Sequence, residues 1–180
     1  MSSIQKTLSI IGVAIVLLCA MALYSQSKNT LKVGSNAPKL QVSRWVKGFG
    51  PAGFEQGSVY VVEFWATWCP PCRESIPHLT KMAHTYKDKV TFIGVSVWEQ
   101  GSGMAVEDNV DTFVSAMGDR MDYLVARDDR LGFMAKNWLS AAGVKGIPSA
   151  FVVDGNGKIA WIGHPMNSLE KAIDRVLAKN

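Results

Sequence analysis

Cysteine is scarce: the chain has three, Cys19, Cys69 and Cys72, among 180 residues. That excludes a secreted scaffold stapled by several disulfides spread along the chain. No basic run with interleaved aromatics accompanies the formal net charge of +4, and Lys and Arg are scattered. The charge therefore reads as a solvated surface and not as a nucleic-acid patch. The glycine-rich stretch Gly48-Phe-Gly-Pro-Ala-Gly53 is not followed by Gly-Lys-Ser/Thr, which excludes a phosphate cradle and leaves a loop. Internal repeats and low-complexity tracts are missing as well.

Charge is absent from one long run, Thr7 to Tyr24, which is rich in Ile, Val, Leu and Ala and follows a start whose one charge is Lys6. Its 18 residues sit at the lower limit for spanning a bilayer and exceed the usual signal-peptide core, so an uncleaved anchor and a cleaved signal both stay open. Ala20-Met-Ala22 offers a small-residue cleavage site. Leu18 before Cys19 does not fit a lipid-attachment signal, and Cys19 reads as a small apolar residue in lipid. Either reading places the polar region behind it across the membrane. The expected organisation is an anchor or signal segment over 1–24, a polar linker over 25–38 and one folded domain over 39–180.

What is present centres on Val61-Val-Glu-Phe-Trp-Ala-Thr-Trp-Cys-Pro-Pro-Cys72. A run of β-formers ends in a short turn, and the two cysteines stand where a helix begins. Free N–H groups and the helix dipole favour negative charge there, which lowers a cysteine pKa and supplies a thiolate. Cys69 is placed to attack and Cys72, one turn in, to resolve. With Cys19 set aside, this close pair is all the cysteine in the domain, which points to function and not to stapling.

Hydrophobic patterning predicts an edge strand over Leu40–Val46 and a strand buried on both faces over Val59–Trp65, interrupted by Glu63. A helix from Pro71 to about Tyr86, kinked at Pro77, and a strand over Val90–Val97 complete a βαβ unit. Val106, Val110, Phe113, Val114 and Met117 recur at helical spacing, Tyr123-Leu-Val125 suggests a short strand, and Leu131–Ala142 reads as a helix stopped by Gly143. Ser149–Val153 and Lys158–Ile162 flank Asp154-Gly-Asn-Gly157 as a hairpin, and Ser168 is expected to cap a terminal helix.

Phe64-Trp-Ala-Thr-Trp-Cys-Pro-Pro-Cys72, Pro77 five residues beyond, and Gly146-Ile-Pro-Ser149 before the hairpin resemble the thioredoxin superfamily. The exported, anchored form resembles its TlpA/ResA-like thiol:disulfide oxidoreductases. The resemblance runs from about Lys32 to the C-terminus. It implies an α/β thioredoxin-like fold, a mixed central sheet with helices on both faces, an N-terminal β extension and a helix-strand insertion around 104–126. It implies a protein disulfide oxidoreductase that works without a cofactor through a Cys69–Cys72 redox disulfide, with Cys69 the nucleophile and Cys72 the resolving thiol. It makes Pro148 the proline after a cis bond that faces the dithiol, with Ile147 offering backbone to an extended partner. Trp68, Pro70 and Pro71 border the same surface, while Trp65 is read as core.

Glu63, six residues before Cys69, stands where thioredoxins carry a buried acid. Burial raises its pKa and suits a proton relay to Cys72. Val90 to Val97 holds no lysine to pair with it, so its partner is not identified. The family resemblance implies reduction more than oxidation of disulfides in envelope proteins, with electrons from a membrane donor and apocytochrome cysteines among the substrates. It implies inner-membrane anchoring with the catalytic domain on the periplasmic side. The alternative is a copper or zinc chaperone drawing on His78, His84, His164 and eight methionines, but no second Cys-x-x-Cys exists. A peroxidase would show a Pro-x-x-x-Thr approach to its cysteine, and the chain lacks one.

Overall fold

Strand β2, Val59–Trp65, is buried at all seven positions. Its β-branched and aromatic residues alternate between two apolar layers: Val59, Val61 and Trp65 enter one, and Tyr60, Val62 and Phe64 enter the other. The computed structural model describes residues 30–101 and 104–179. The expected anchor or signal segment lies outside them, as do residues 25–29 of the linker. Among the described residues, no helix is long and apolar enough to cross a membrane.

From β2 the chain crosses through helix α1, Pro70–Thr85, into β3, Val90–Ser96, which pairs parallel to β2 from Val59↔Val90 to Trp65↔Ser96. Helix α2, Met104–Met117, and a 3-10 turn over Gly118–Met121 lead to β4, Leu124–Arg127, parallel to β3. Strand β1, Arg44–Lys47, closes that edge antiparallel to β4. On the other side of β2, β5, Ser149–Val153, and β6, Ile159–Gly163, form the expected antiparallel hairpin. The mixed six-stranded sheet has the order β1-β4-β3-β2-β5-β6. This is the thioredoxin-like α/β fold with helices on both faces.

One face is covered by α1, α2 and the terminal helix α3, Leu169–Leu177, through Ile76, Leu79, Val110, Val114, Leu169 and Ile173. The other is covered by Met134, Trp138 and Leu139 of a helical segment and by Leu31 and Leu40. Trp138 meets Phe151 edge-on, with ring centroids 5.3 Å apart, and Phe151 meets Phe64 in the same way.

Local details depart from the expectations. The edge strand starts at Arg44 because the backbone before it turns towards the helical segment, where Trp138 Nε1 donates to Lys39 O and Gln41 N–H to Met134 Sδ. The segment expected as a regular helix over 131–142 is a π-helix at Ala135–Ser140, seen in Ala141 N donating to Lys136 O. Ser168 does not cap α3 with its side chain, since its backbone is left-handed with φ 62°. Helix α1 runs through Pro77 within one helical span.

Candidate active site

Helix α1 opens with two prolines, which suits its first turn because those N–H groups have no helical acceptor. Cys69 is its N-cap, extended at φ −94° and ψ 102°, and its sulfur accepts the Cys72 N–H at 3.3 Å. Cys69 and Cys72 form a disulfide with a Cα–Cα distance of 5.3 Å. Both are buried, Cys72 completely. Once the pair is reduced, negative charge on Cys69 Sγ falls on that N–H and on the positive end of the helix dipole.

The turn before Cys69 is held from two sides. Thr67 donates its N–H and hydroxyl to the two carboxylate oxygens of Glu99 at 2.8 and 2.6 Å, and Ser96 Oγ donates to the same carboxylate at 2.6 Å. The Arg73 guanidinium returns from α1 to donate twice to Thr67 O, at 3.1 and 2.6 Å. Glu99 is not singled out in the sequence. The available signal was an acid just past the end of β3, beside the end of β2, where open α/β sheets gather their functional groups.

Facing the disulfide, the Ile147–Pro148 bond is cis, as the resemblance implied. Ile147 O lies 3.7 Å from Cys69 Sγ. A disulfide sulfur carries no proton, so this is a contact in the oxidised protein, and the reduced thiol has an acceptor in place. Pro148 is buried, and Ser149 Oγ donates to Gly146 O at 2.8 Å, fixing the approach to β5.

Trp65 is wholly buried, whereas Trp68 is 41% exposed and donates Nε1–H to Trp98 O at 2.8 Å. Trp68, Pro70 and Pro71 are exposed beside the buried Cys69, and Trp98, 40% exposed, extends that surface through its bond to Trp68. Such a rim offers apolar area and free backbone to an extended chain. Trp98 was not singled out in the sequence.

Glu63 is 1% exposed and points into the same layer as Cys69 and Cys72, but no hydrogen bond joins it to either. Burial pushes its pKa up to about 8. The residue opposite it on β3 is Gly94 and on β5 is Ala150, so neither neighbouring strand supplies a cation. The histidines weighed for metal binding stand apart: His84 Nε2 pairs with Asp122, and His164 Nδ1 accepts from Met166 N–H. Among the described residues, no group of three His, Cys, Asp or Glu is arranged to hold a metal ion.

A family model for redoxins matches residues 32–177. The chain belongs to the Redoxin family. This redoxin is 34% identical over 133 residues to the thiol:disulfide interchange protein HelX of Rhodobacter capsulatus, covering 72% of this chain and 67% of that one. It is 29% identical over 136 residues to the thiol-disulfide oxidoreductase ResA of Geobacillus thermodenitrificans, covering 75% and 71% respectively. Its fold superposes on a thiol-disulfide isomerase from Corynebacterium glutamicum with a TM-score of 0.67 at 26% identity, covering 81% of this chain and 99% of that one. This redoxin is a thiol:disulfide oxidoreductase of the ResA type.

Proposed function

We propose that Cys69 and Cys72 are the exchanging pair and that this redoxin works mainly as a reductant of disulfides in cell-envelope proteins. In the reduced protein the Cys69 thiolate attacks one sulfur of a partner disulfide, forming a mixed disulfide and releasing a partner thiolate that takes up a proton. Cys72 then loses its proton and attacks Cys69 Sγ, the mixed disulfide breaks, and the second partner thiol departs. Two electrons pass to the partner, and the protein is left with the Cys69–Cys72 disulfide. Glu63 is the group proposed to take the Cys72 proton. Ile147 and Pro148, with Trp68, Pro70 and Pro71, form the surface that receives the partner backbone.

The observation that carries this reading is the position of Cys69: N-cap of α1, sulfur on the Cys72 N–H, and Ile147 O at 3.7 Å. The resemblance to ResA-like proteins supports a role in cytochrome c maturation, with apocytochrome cysteines as substrates and a membrane donor restoring the dithiol. The uncharged run Thr7 to Tyr24 supports an inner-membrane anchor with the domain on the periplasmic side. The test uses the full chain and a disulfide-bonded peptide carrying a haem-attachment Cys-x-x-Cys-His. Wild type should reduce it, Cys69→Ser should not, and Cys72→Ser should accumulate a covalent adduct through Cys69. An adduct-free, inactive Cys72→Ser, or a fully active Cys69→Ser, would falsify the assignment.

A further inference from the structure

In the layer that carries the disulfide, the buried hydroxyls of Ser75, Thr80 and Tyr86 are hydrogen-bonded, and one group of polar atoms is not. Glu63 Oε1 and Oε2, Trp65 Nε1 and Tyr123 OH are all buried there without a hydrogen-bond partner among the described residues. The Glu63 carboxyl, the Trp65 indole N–H and the Tyr123 ring meet over Gly94, the β3 partner of Glu63. A methyl group built on Gly94 would lie 2.9 Å from Tyr123 Cε2, 3.2 Å from Trp65 Nε1 and 3.4 Å from Glu63 Oε2. Only glycine lets all three side chains close over this strand. Tyr123 comes from the stretch between the 3-10 turn and β4, the part of the fold whose purpose the sequence did not reveal.

Buried polar groups that lack protein partners are commonly satisfied by internal water, which needs two to four polar neighbours. Here the groups are complementary: an indole N–H that donates only, a phenol that donates or accepts, and a carboxyl group that accepts when ionised. We propose that Glu63, Trp65 and Tyr123 form one buried, water-binding proton site, in which Tyr123 and Trp65 are positioning residues that stabilise the Glu63 carboxylate. This rests on reading Cys69–Cys72 as the exchanging pair. When Cys72 attacks, its proton passes to the Glu63 carboxylate; when the pair is reduced again, the proton returns to Cys72.

The surrounding elements leave Tyr123 as the group that tunes Glu63. Strands β3 and β5 present Gly94 and Ala150. Helix α1 presents Cys72 and, at its surface, Arg73, whose guanidinium is held by Thr67 O and lies over Phe113. Phe113 of α2 stacks on Trp65 at 5.1 Å, and Asp111 pairs with Arg44. Asp122 is engaged by His84 and Lys47, and Asp174 of α3 by Tyr86. Burial and the neighbouring Glu63 both push the Tyr123 hydroxyl well above the ordinary phenol range, so it stays protonated as a donor.

The test is a carbon-13 NMR titration of the full-length oxidised chain, with labelled glutamate carboxyls and tyrosine ζ-carbons, Glu63→Gln assigning the signal. In wild type the Tyr123 ζ-carbon should step at the Glu63 midpoint. Tyr123→Phe should raise that midpoint by about half a pH unit or more, roughly a threefold change in the acid constant, because a donor that acts on the carboxylate through the bound water is lost. Tyr60→Phe, on the opposite face of β2, should leave it in place, which separates tuning from a general loss of stability. A Tyr123 ζ-carbon with no step at the Glu63 midpoint overturns the proposal whether or not the variant folds. So does a folded Tyr123→Phe whose midpoint stays within about 0.2 pH unit of wild type, a shift worth less than twofold. Failure of wild type to exchange disulfides would count against the Cys69–Cys72 reading alone, since these signals do not depend on turnover.

Discussion

At the scale of single residues, the expensive feature is Glu63, an acid with 1% of its surface exposed in a central strand. Its folded pKa of about 8 lies above its ordinary value of 4.5. Between those two pH values the folded state keeps a proton that the unfolded state has released, so stability is greatest below the ordinary value and falls as pH rises towards 8. We expect Glu63→Gln to remove this slope. Relative to wild type, the variant should gain on the order of a few kcal/mol between pH 4.5 and 8, read by urea unfolding at both ends. Parallel pH dependence in the two proteins would show that Glu63 is not neutral in the fold. Glu99, also acidic, shows the opposite arrangement, with three donors meeting its carboxylate.

At the scale of elements, the helical segment on the far face of the sheet depends on a cap that lies outside it. Asp128 Oδ1 accepts from Asp129 N–H and Met134 N–H, and Oδ2 from Ala135 N–H, all at 2.8–2.9 Å. Asp129 Oδ1 takes Leu131 N–H and Phe133 N–H. These carboxylates satisfy first-turn donors that would otherwise be orphaned. Asp128→Ala leaves three N–H groups unbonded at a buried site and should cost about 1–3 kcal/mol in thermal or urea unfolding, with disulfide exchange kept. A cost below about 0.3 kcal/mol would mean that water replaces the cap without loss. The pair Asp128-Asp129 just ahead of an apolar-periodic run was a readable start signal; the π-helical continuation was not, because it shares its apolar spacing with an ordinary helix.

At the scale of the whole molecule, Leu31–Asn180 forms its own compact unit, and the family match at 32–177 falls within it. The function proposed for the uncharged run is therefore separable from the chemistry. Deleting residues 1–24 should move the protein from the membrane fraction to the soluble fraction of expressing cells and leave in vitro disulfide exchange within about twofold, a barrier change under about 0.5 kcal/mol. Retention in the membrane fraction after the deletion would place the attachment elsewhere. The mixed sheet also explains why the site sits where it does. Strands β2, β3 and β4 run parallel, so the turns after β2 and β3 emerge at one end and bring Cys69, Trp68 and Glu99 together.

Sequence alone determined what is local. A strand delivering two cysteines to a helix N-terminus, the βαβ unit and the hairpin all follow from propensity and periodicity among near neighbours, and they hold because local preference and fold agree here. Burial of Trp65 and exposure of Trp68 agree with what the family resemblance implied. Only the tertiary structure decided what meets across distance. Glu99 grips Thr67 over 32 positions, and Ile147 O meets Cys69 over 78. Glu63, for which the sequence identified no partner, meets the Tyr123 ring and the Trp65 indole over a glycine on the neighbouring strand. Such contacts depend on sheet order and register, which no short window encodes, because the same apolar period stabilises many packings until one buries every polar group tolerably.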